Sequence, residues 1–175
     1  MDRLFLDANI LFSAAYGPES PLRRLWQIRG AELITSAYAL VEAHRNLETK
    51  DQQARLDALS ADVRVVGESD KRDLPAGVTL REKDVPILCA AIAAKASHLL
   101  TLDLRDFGPF LGKSMAGMLV LHPRDYRQLK GGSPRRGRKR VRPLDRVRGI
   151  FARGRHTDHV IDDLRGAPEA REERR

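Results

Sequence analysis

Apolar residues along the chain fall into short runs separated by mixed stretches, a pattern of strands alternating with helices. Residues 3–13 form the densest early run and read as a buried strand, broken by Asp7 and then Asn9. Gly17 with Pro18 and Ser20 with Pro21 mark a loop, and Ser20 can cap a helix through Leu22, Leu25 and Trp26 to Gly30. Residues 32–35 make a short strand, and Ser36 caps a helix over about 37–48 with Tyr38, Val41 and Leu47 as its apolar positions. A third helix spans about 52–61, and residues 63–66 alternate as a strand does. After a polar stretch with Pro75 and Gly77, residues 83–96 form an Ala-rich helix apolar on most sides, with Asp84 at its N-cap and Pro86 in its first turn. Residues 98–103 are a strand that ends in Asp103, residues 118–122 a last strand, and Pro123 opens a short helix. No internal repeat is visible.

This alternation predicts an α/β fold with a mostly parallel sheet covered on both faces. Ligands of such sheets bind beyond the carboxyl ends of the strands. Asp7 and Asp103 lie at that end of two strands, so their carboxylates converge if the strands are neighbours.

Composition sharpens the picture at the C-terminus. The chain has 175 residues and a formal net charge of +8. Residues 1–130 hold 18 Lys and Arg against 17 Asp and Glu, and residues 131–175 hold 14 against 7. A nearly neutral domain over 1–130 therefore carries a basic linker, 131–143, opened by Gly131, Gly132, Ser133 and Pro134, and a basic tail, 144–175. The single cysteine, Cys89, excludes an intramolecular disulfide and points to a reducing compartment. With no transmembrane-length apolar run and no signal-peptide pattern, the expectation is a cytoplasmic protein without membrane contact.

Asp7 is the hardest residue to explain structurally, because a charge in a buried strand costs several kcal/mol unless paired, so it needs a helix cap, a cation or a substrate. Glu42, Asp84 and Asp103 join it. Taken singly, Asp84 is an N-cap, Glu42 a surface partner of Arg45 or Asn46, and Asp103 a turn cap, as Asp106 also is. Taken together, these acids cannot all stay ionised in one cleft without a strong positive charge. Hard oxygen ligands suit Mg²⁺ or Mn²⁺. No zinc site is offered, since Cys89 lies mid-helix and His44, His98 and His122 are scattered.

In order and spacing, the segments around Leu6-Asp7-Ala8-Asn9, Glu42-Ala43-His44-Arg45, Asp84-Val85-Pro86-Ile87 and Thr101-Leu102-Asp103-Leu104-Arg105-Asp106-Phe107 resemble the PIN domain, and within it the VapC-like toxins of bacterial toxin–antitoxin pairs. The resemblance covers about residues 2–129. It implies a three-layer α/β/α sandwich and a metal-dependent endoribonuclease of RNA, with Asp7, Glu42, Asp84 and Asp103 as metal-binding and catalytic acids. Asp106 is a candidate fifth acid, and Asn9 and Thr101 are supporting polar positions. Ala8 departs from the family's usual threonine. In the mechanism so implied, Mg²⁺ or Mn²⁺ activates a water, Glu42 is a ligand or orients that water, and Arg45 and Arg105 are candidates for phosphate contact. A homodimer and a cognate antitoxin are the implied partners. A haloacid-dehalogenase-type phosphotransferase also starts with a strand ending in Asp, but it needs a second Asp where Asn9 stands. A non-catalytic PIN-like RNA-binding protein usually loses acids that are present here.

Arg135, Arg136, Arg138, Lys139, Arg140 and Arg142 crowd into eight residues and read as an RNA-binding arm, against the plain alternative of a solvated extension. Residues 148–166 also resemble the toxin-embracing segment of VapB-like antitoxins. By that resemblance Ile150, Phe151, Val160, Ile161 and Leu164 are anchors, and Arg153 or Arg155 would compete with metal, giving a self-inhibited toxin.

Overall fold

The computed structural model describes residues 1–67, 74–75 and 77–131. The basic arm at 135–142 and the antitoxin-like segment at 148–166, with Arg153 and Arg155, lie outside the described residues. Along the chain run β1 (Asp2–Leu6), α1 (Ala8–Tyr16), a 3₁₀ helix (Pro21–Gln27), β2 (Ala31–Ser36), α2 (Ala37–Asn46), α3 (Lys50–Ser60) and β3 (Arg64–Val66). They are followed by α4 (Val85–Ala93), β4 (His98–Leu100), a short 3₁₀ turn (Gly108–Phe110), β5 (Ser114–Met115), β6 (Met118–Leu121) and α5 (Pro123–Gly131). The strands form one sheet in the order β3-β2-β1-β4-β6-β5, parallel except for the β5–β6 pair.

Alternation along the central strands divides the core between the two faces of the sheet. Leu4, Leu6, Leu33 and Leu100 join the side chains of α1, α3, the first 3₁₀ helix and Tyr126 on one face. Phe5, Ile34, Leu99 and Val120 meet α4, Phe107 and Met115 on the other. All of these are buried, as a mostly parallel sheet requires.

Residues 3–13 are not one strand. The strand ends at Leu6, and α1 begins at Ala8. Ile10, Leu11, Ala14 and Ala15 bury one helical stripe, but the apolar residues before them extend the run unbroken, so its period is ambiguous in the sequence alone. Arg55 of α3 closes the far end of α1, donating to the carbonyls of Ala15 at 2.9 Å and Tyr16 at 3.1 Å. The segment after Ser20 is a 3₁₀ helix rather than an α-helix, and the Ser20 hydroxyl does not cap it, because it donates to the Ser13 carbonyl at 2.7 Å. Ser36 does cap α2, accepting from the Ala39 amide at 3.1 Å. The third helix starts earlier than its apolar pattern indicates, because Thr49 and Gln52 form a reciprocal capping box. No helix among the described residues is long and apolar enough to cross a membrane.

The sheet order places β1 beside β4, with the chain leaving β1 for a helix on one face and entering β4 from a helix on the other. Such a reversal of winding opens a crevice at the carboxyl ends of the two strands. Asp7 follows β1 directly, and residues 101–106 follow β4.

Candidate metal centre

Asp7 occupies the N-cap position of α1, but its carboxylate makes no capping bond. Its Oδ2 instead accepts from Asn9 Nδ2 at 2.7 Å and from the Thr101 hydroxyl at 2.6 Å. Thr101 Oγ1 in turn accepts from Asn9 Nδ2 at 3.2 Å and from the Asp103 amide at 2.9 Å, while Asn9 Oδ1 accepts from the Leu102 amide at 3.0 Å. This closed network spans 92 to 94 residues of sequence and locks the turn after β1 to the turn after β4. Asp7 is only 3% exposed, and burial raises its pKa to about 6. The hydrogen bonds from Thr101 and the Ala8 amide oppose that shift, and the charges of Glu42 and Asp103 add to it.

The second half of the centre is built on the turn between β4 and the 3₁₀ segment. Asp103 Oδ1 accepts from the amides of Arg105 at 2.8 Å and Asp106 at 3.0 Å, an Asx turn. The turn-capping role read from the sequence thus occupies one oxygen of Asp103 and leaves Oδ2 facing the cleft.

Asp84 precedes α4, yet its side chain makes no capping bond. Residues 81–84 form a turn, with the Asp84 amide donating to the Arg81 carbonyl at 2.9 Å. Its φ and ψ of −93° and −16° are already helical, not the extended values of a capping residue. Asp84 Oδ2 is buried without a hydrogen-bond partner, and burial raises the pKa of this carboxyl to about 7. Lys83, 3.8 Å from Asp84 Oδ1, lowers it, and the charges of Asp106, Asp103 and Asp7 raise it further.

One oxygen from each of Asp84, Asp103 and Asp106 lies within 4.8 Å of the others. Opposite ligands of an octahedral Mg²⁺ are about 4.2 Å apart, so small side-chain adjustments would let these oxygens share one ion. The donor set is all oxygen and fits a hard cation, and the buried Asp84 Oδ2 accepts no hydrogen bond, its nearest cation being Arg81 Nε at 3.5 Å. Asp7 and Glu42 stand outside this three-acid group, though their charges act on each other. Glu42 lies half-buried on α2, one turn after Tyr38. Tyr38, an apolar position by its spacing, is also at this edge: burial raises its pKa, and the charges of Glu42 and Asp84 add to that. Arg45 and Arg105 are exposed, and the charge of Arg45 is felt at Tyr38.

Arg81 is the residue that sequence patterning missed. It donates from Nη2 to Asp106 Oδ2 and, at 3.3 Å, to Asp103 Oδ2, and its Nε lies 3.5 Å from Asp84 Oδ2. Burial raises the Asp106 carboxyl, but the hydrogen bonds with Arg81, Asp103 and Asp84 and the charge of Arg81 together outweigh it and leave the group below the usual carboxylate range. The available signal was its position three residues before Asp84, one helical turn away.

No protein-family model matches the chain, and no curated protein matches its sequence. Among solved structures, the chain is similar to a chain of VapBC2 from Rickettsia felis, solved bound to a DNA fragment from its promoter. The TM-score is 0.52 at 18% identity, over 69% of this chain and 98% of that one. Weaker likenesses are to Mycobacterium tuberculosis VapC20, described as a sarcin–ricin loop cleaving toxin (TM-score 0.45, 14% identity, 58% of this chain and 91% of that one), and to VapBC-1 from nontypeable Haemophilus influenzae (0.44, 17%, 69% and 97%). The architecture is the mostly parallel α/β sandwich of the PIN type.

Proposed function

We propose that this PIN-like chain is a Mg²⁺- or Mn²⁺-dependent endoribonuclease that hydrolyses RNA phosphodiester bonds, and that it is the toxin of a toxin–antitoxin pair. The observation that carries the chemistry is the acidic edge at the β1–β4 crevice, where Asp84, Asp103 and Asp106 converge within 4.8 Å and Asp84 Oδ2 is buried without a hydrogen bond. Arg81 supplies a guanidinium to these three carboxylates but leaves negative charge that a divalent cation would offset. The biological role follows from the fold likeness to VapBC2 together with that chemistry, and an antitoxin protein and a second copy of the chain are its proposed partners.

In this reading Asp84, Asp103 and Asp106 would hold the ion, with Asp7 and Glu42 completing the acidic shell. When bound, such an ion supplies a water of lowered pKa and neutralises charge on the scissile phosphate. The chain's own residues do the positioning. Asn9 and Thr101 fix one Asp7 oxygen, so the carboxylate enters the site in a single orientation. Backbone amides hold Asp103 Oδ1 and aim its other oxygen at the cleft. Glu42, half-buried on α2, would orient the attacking water. Arg45 and Arg105 flank the site and contact substrate phosphates, and the basic residues from Arg135 to Arg142 add affinity without sequence preference.

The test is RNA cleavage by the full chain with Mn²⁺, with and without chelator, beside Asp7→Asn and Asp103→Asn. Cleavage should stop on chelation and fall by at least about 100-fold in each variant, since both change the acidic shell. Equal cleavage by the wild type and both variants rejects the assignment. RNA binding without any cleavage points to a non-catalytic RNA-binding protein instead.

A further inference from the structure

We propose that Arg81 is a built-in counter-cation of the acidic centre, and that its guanidinium and a divalent ion compete for the same three carboxylates. This rests on the metal-dependent reading above. The three acids that converge within 4.8 Å are the three that Arg81 contacts. It reaches Oδ2 of each, with Nη2 serving Asp103 and Asp106 and Nε facing Asp84. A divalent ion bound to these acids would lie within a few ångströms of the guanidinium, and two cations so close repel.

The backbone fixes this contest in place. The Arg81 carbonyl accepts from the amides of Asp84 at 2.9 Å and Val85 at 3.3 Å, so the turn that opens α4 carries both the arginine and one of the acids. Exposure differs sharply between the partners. The Arg81 side chain is 41% exposed, against 6% for Asp84, 15% for Asp103 and 11% for Asp106. The guanidinium can therefore swing into water at small cost in burial, while the acids stay where they are. One guanidinium leaves three carboxylates undercompensated, so the site still attracts a divalent ion once Arg81 has left. Lys83 lies 3.8 Å from Asp84 Oδ1 and offsets part of that one carboxylate's charge, while Arg81 spans all three acids. Metal uptake thus requires Arg81 to leave, which sets a threshold on the free ion concentration at which the centre loads.

The experiment is calorimetric titration of Mn²⁺ into the metal-free full chain at pH 8, for the wild type, Arg81→Gln, Arg81→Lys and Arg105→Gln. If Arg81 is docked in about nine of ten molecules, its removal tightens apparent Mn²⁺ affinity about tenfold. Arg105→Gln removes the same charge from the neighbouring turn without a side-chain contact to the acids, and should tighten binding less than about twofold, a purely long-range effect. Arg81→Lys keeps the charge but loses the fork that spans the acids, and should fall between wild type and Arg81→Gln. Equal tightening in Arg81→Gln and Arg105→Gln, or unchanged or weaker binding in Arg81→Gln, overturns the proposal while leaving the metal site standing. If Arg81→Gln fails to fold, wild-type affinity in Arg81→Lys overturns it equally. Absence of Mn²⁺ binding in both wild type and Arg81→Gln overturns the metal reading itself, and the competition with it.

Discussion

Asp7 is a carboxylate kept where it is unfavourable. Its pKa of about 6 stands above the ordinary 3.8 because burial favours the neutral form. The stability this contributes is complete below about pH 4 and is lost as pH rises through 6. In metal-free protein at pH 8, Asp7→Asn should therefore stabilise the fold by roughly 2–3 kcal/mol, with little effect at pH 4, in urea unfolding with chelator present. The new Oδ1 can still accept from Asn9 and Thr101, so the network survives while metal affinity falls. The reverse applies to cation binding, which needs the ionised forms: with Asp7 at about 6 and Asp84 at about 7, Mn²⁺ affinity should climb from pH 5.5 to 8. A pH-independent affinity over that range would show that no carboxylate of the site titrates between pH 5.5 and 8. Thr101 is buried and has one hydroxyl serving Asp7, Asn9 and the Asp103 amide. Thr101→Val should destabilise by about 1–3 kcal/mol and loosen the metal site together, read as a lower midpoint of unfolding and weaker Mn²⁺ binding. At this scale the sequence was legible wherever a residue contradicted its surroundings. Asp7 in an apolar run announced itself, whereas Arg81, one arginine among many, has a destination set by the 81–84 turn and by a strand end some twenty residues on.

The elements were legible in type more than in extent. β1, β2, β4 and β6 show because short β-branched and leucine-rich runs between turn signals fit few alternatives. α1 merges with the preceding strand in the sequence pattern because continuous apolar residues carry no period, and the helix is set by tertiary burial of Ile10, Leu11, Ala14 and Ala15. β5 is too short to leave a pattern. It exists because Ala116 and Gly117 turn the chain back with φ of 48° and 81°, a two-residue hairpin turn that sequence signals only when both positions look permissive. The C-terminus of α4 has the same character. The Ala96 amide donates to the Ala91 carbonyl at 3.0 Å and the Lys95 amide to Ile92 at 2.8 Å, a Schellman stop with Lys95 at φ 51°, where glycine is the usual residue. Lys95→Gly should relieve the left-handed backbone and stabilise by about 0.5–1 kcal/mol net of glycine's chain entropy. Thermal unfolding should rise by a few degrees, and a fall would mean that the lysine side chain holds this turn.

Across the whole molecule, charge is divided against itself. The acidic centre repels the polyanion it is proposed to cut, and residues 1–130 carry almost no net charge to offset this. The compensating excess lies in residues 131–175, which hold 14 basic against 7 acidic side chains. If those cations bring RNA to the site, binding must be governed by counterion release, so affinity falls linearly with salt on logarithmic axes. Each phosphate contact on a single strand contributes a slope of about −0.7. Replacing Arg135, Arg136, Arg138, Lys139, Arg140 and Arg142 by glutamine in the full chain should then shallow that slope by about 4 in binding measured with chelator present. The core of the described residues is built without these side chains, so the unfolding midpoint should not move. Loss of RNA affinity with an unchanged salt slope would argue that the arm acts through contacts other than phosphate. An unchanged affinity would remove it from substrate binding altogether and leave Arg45 and Arg105 as the cations that meet RNA.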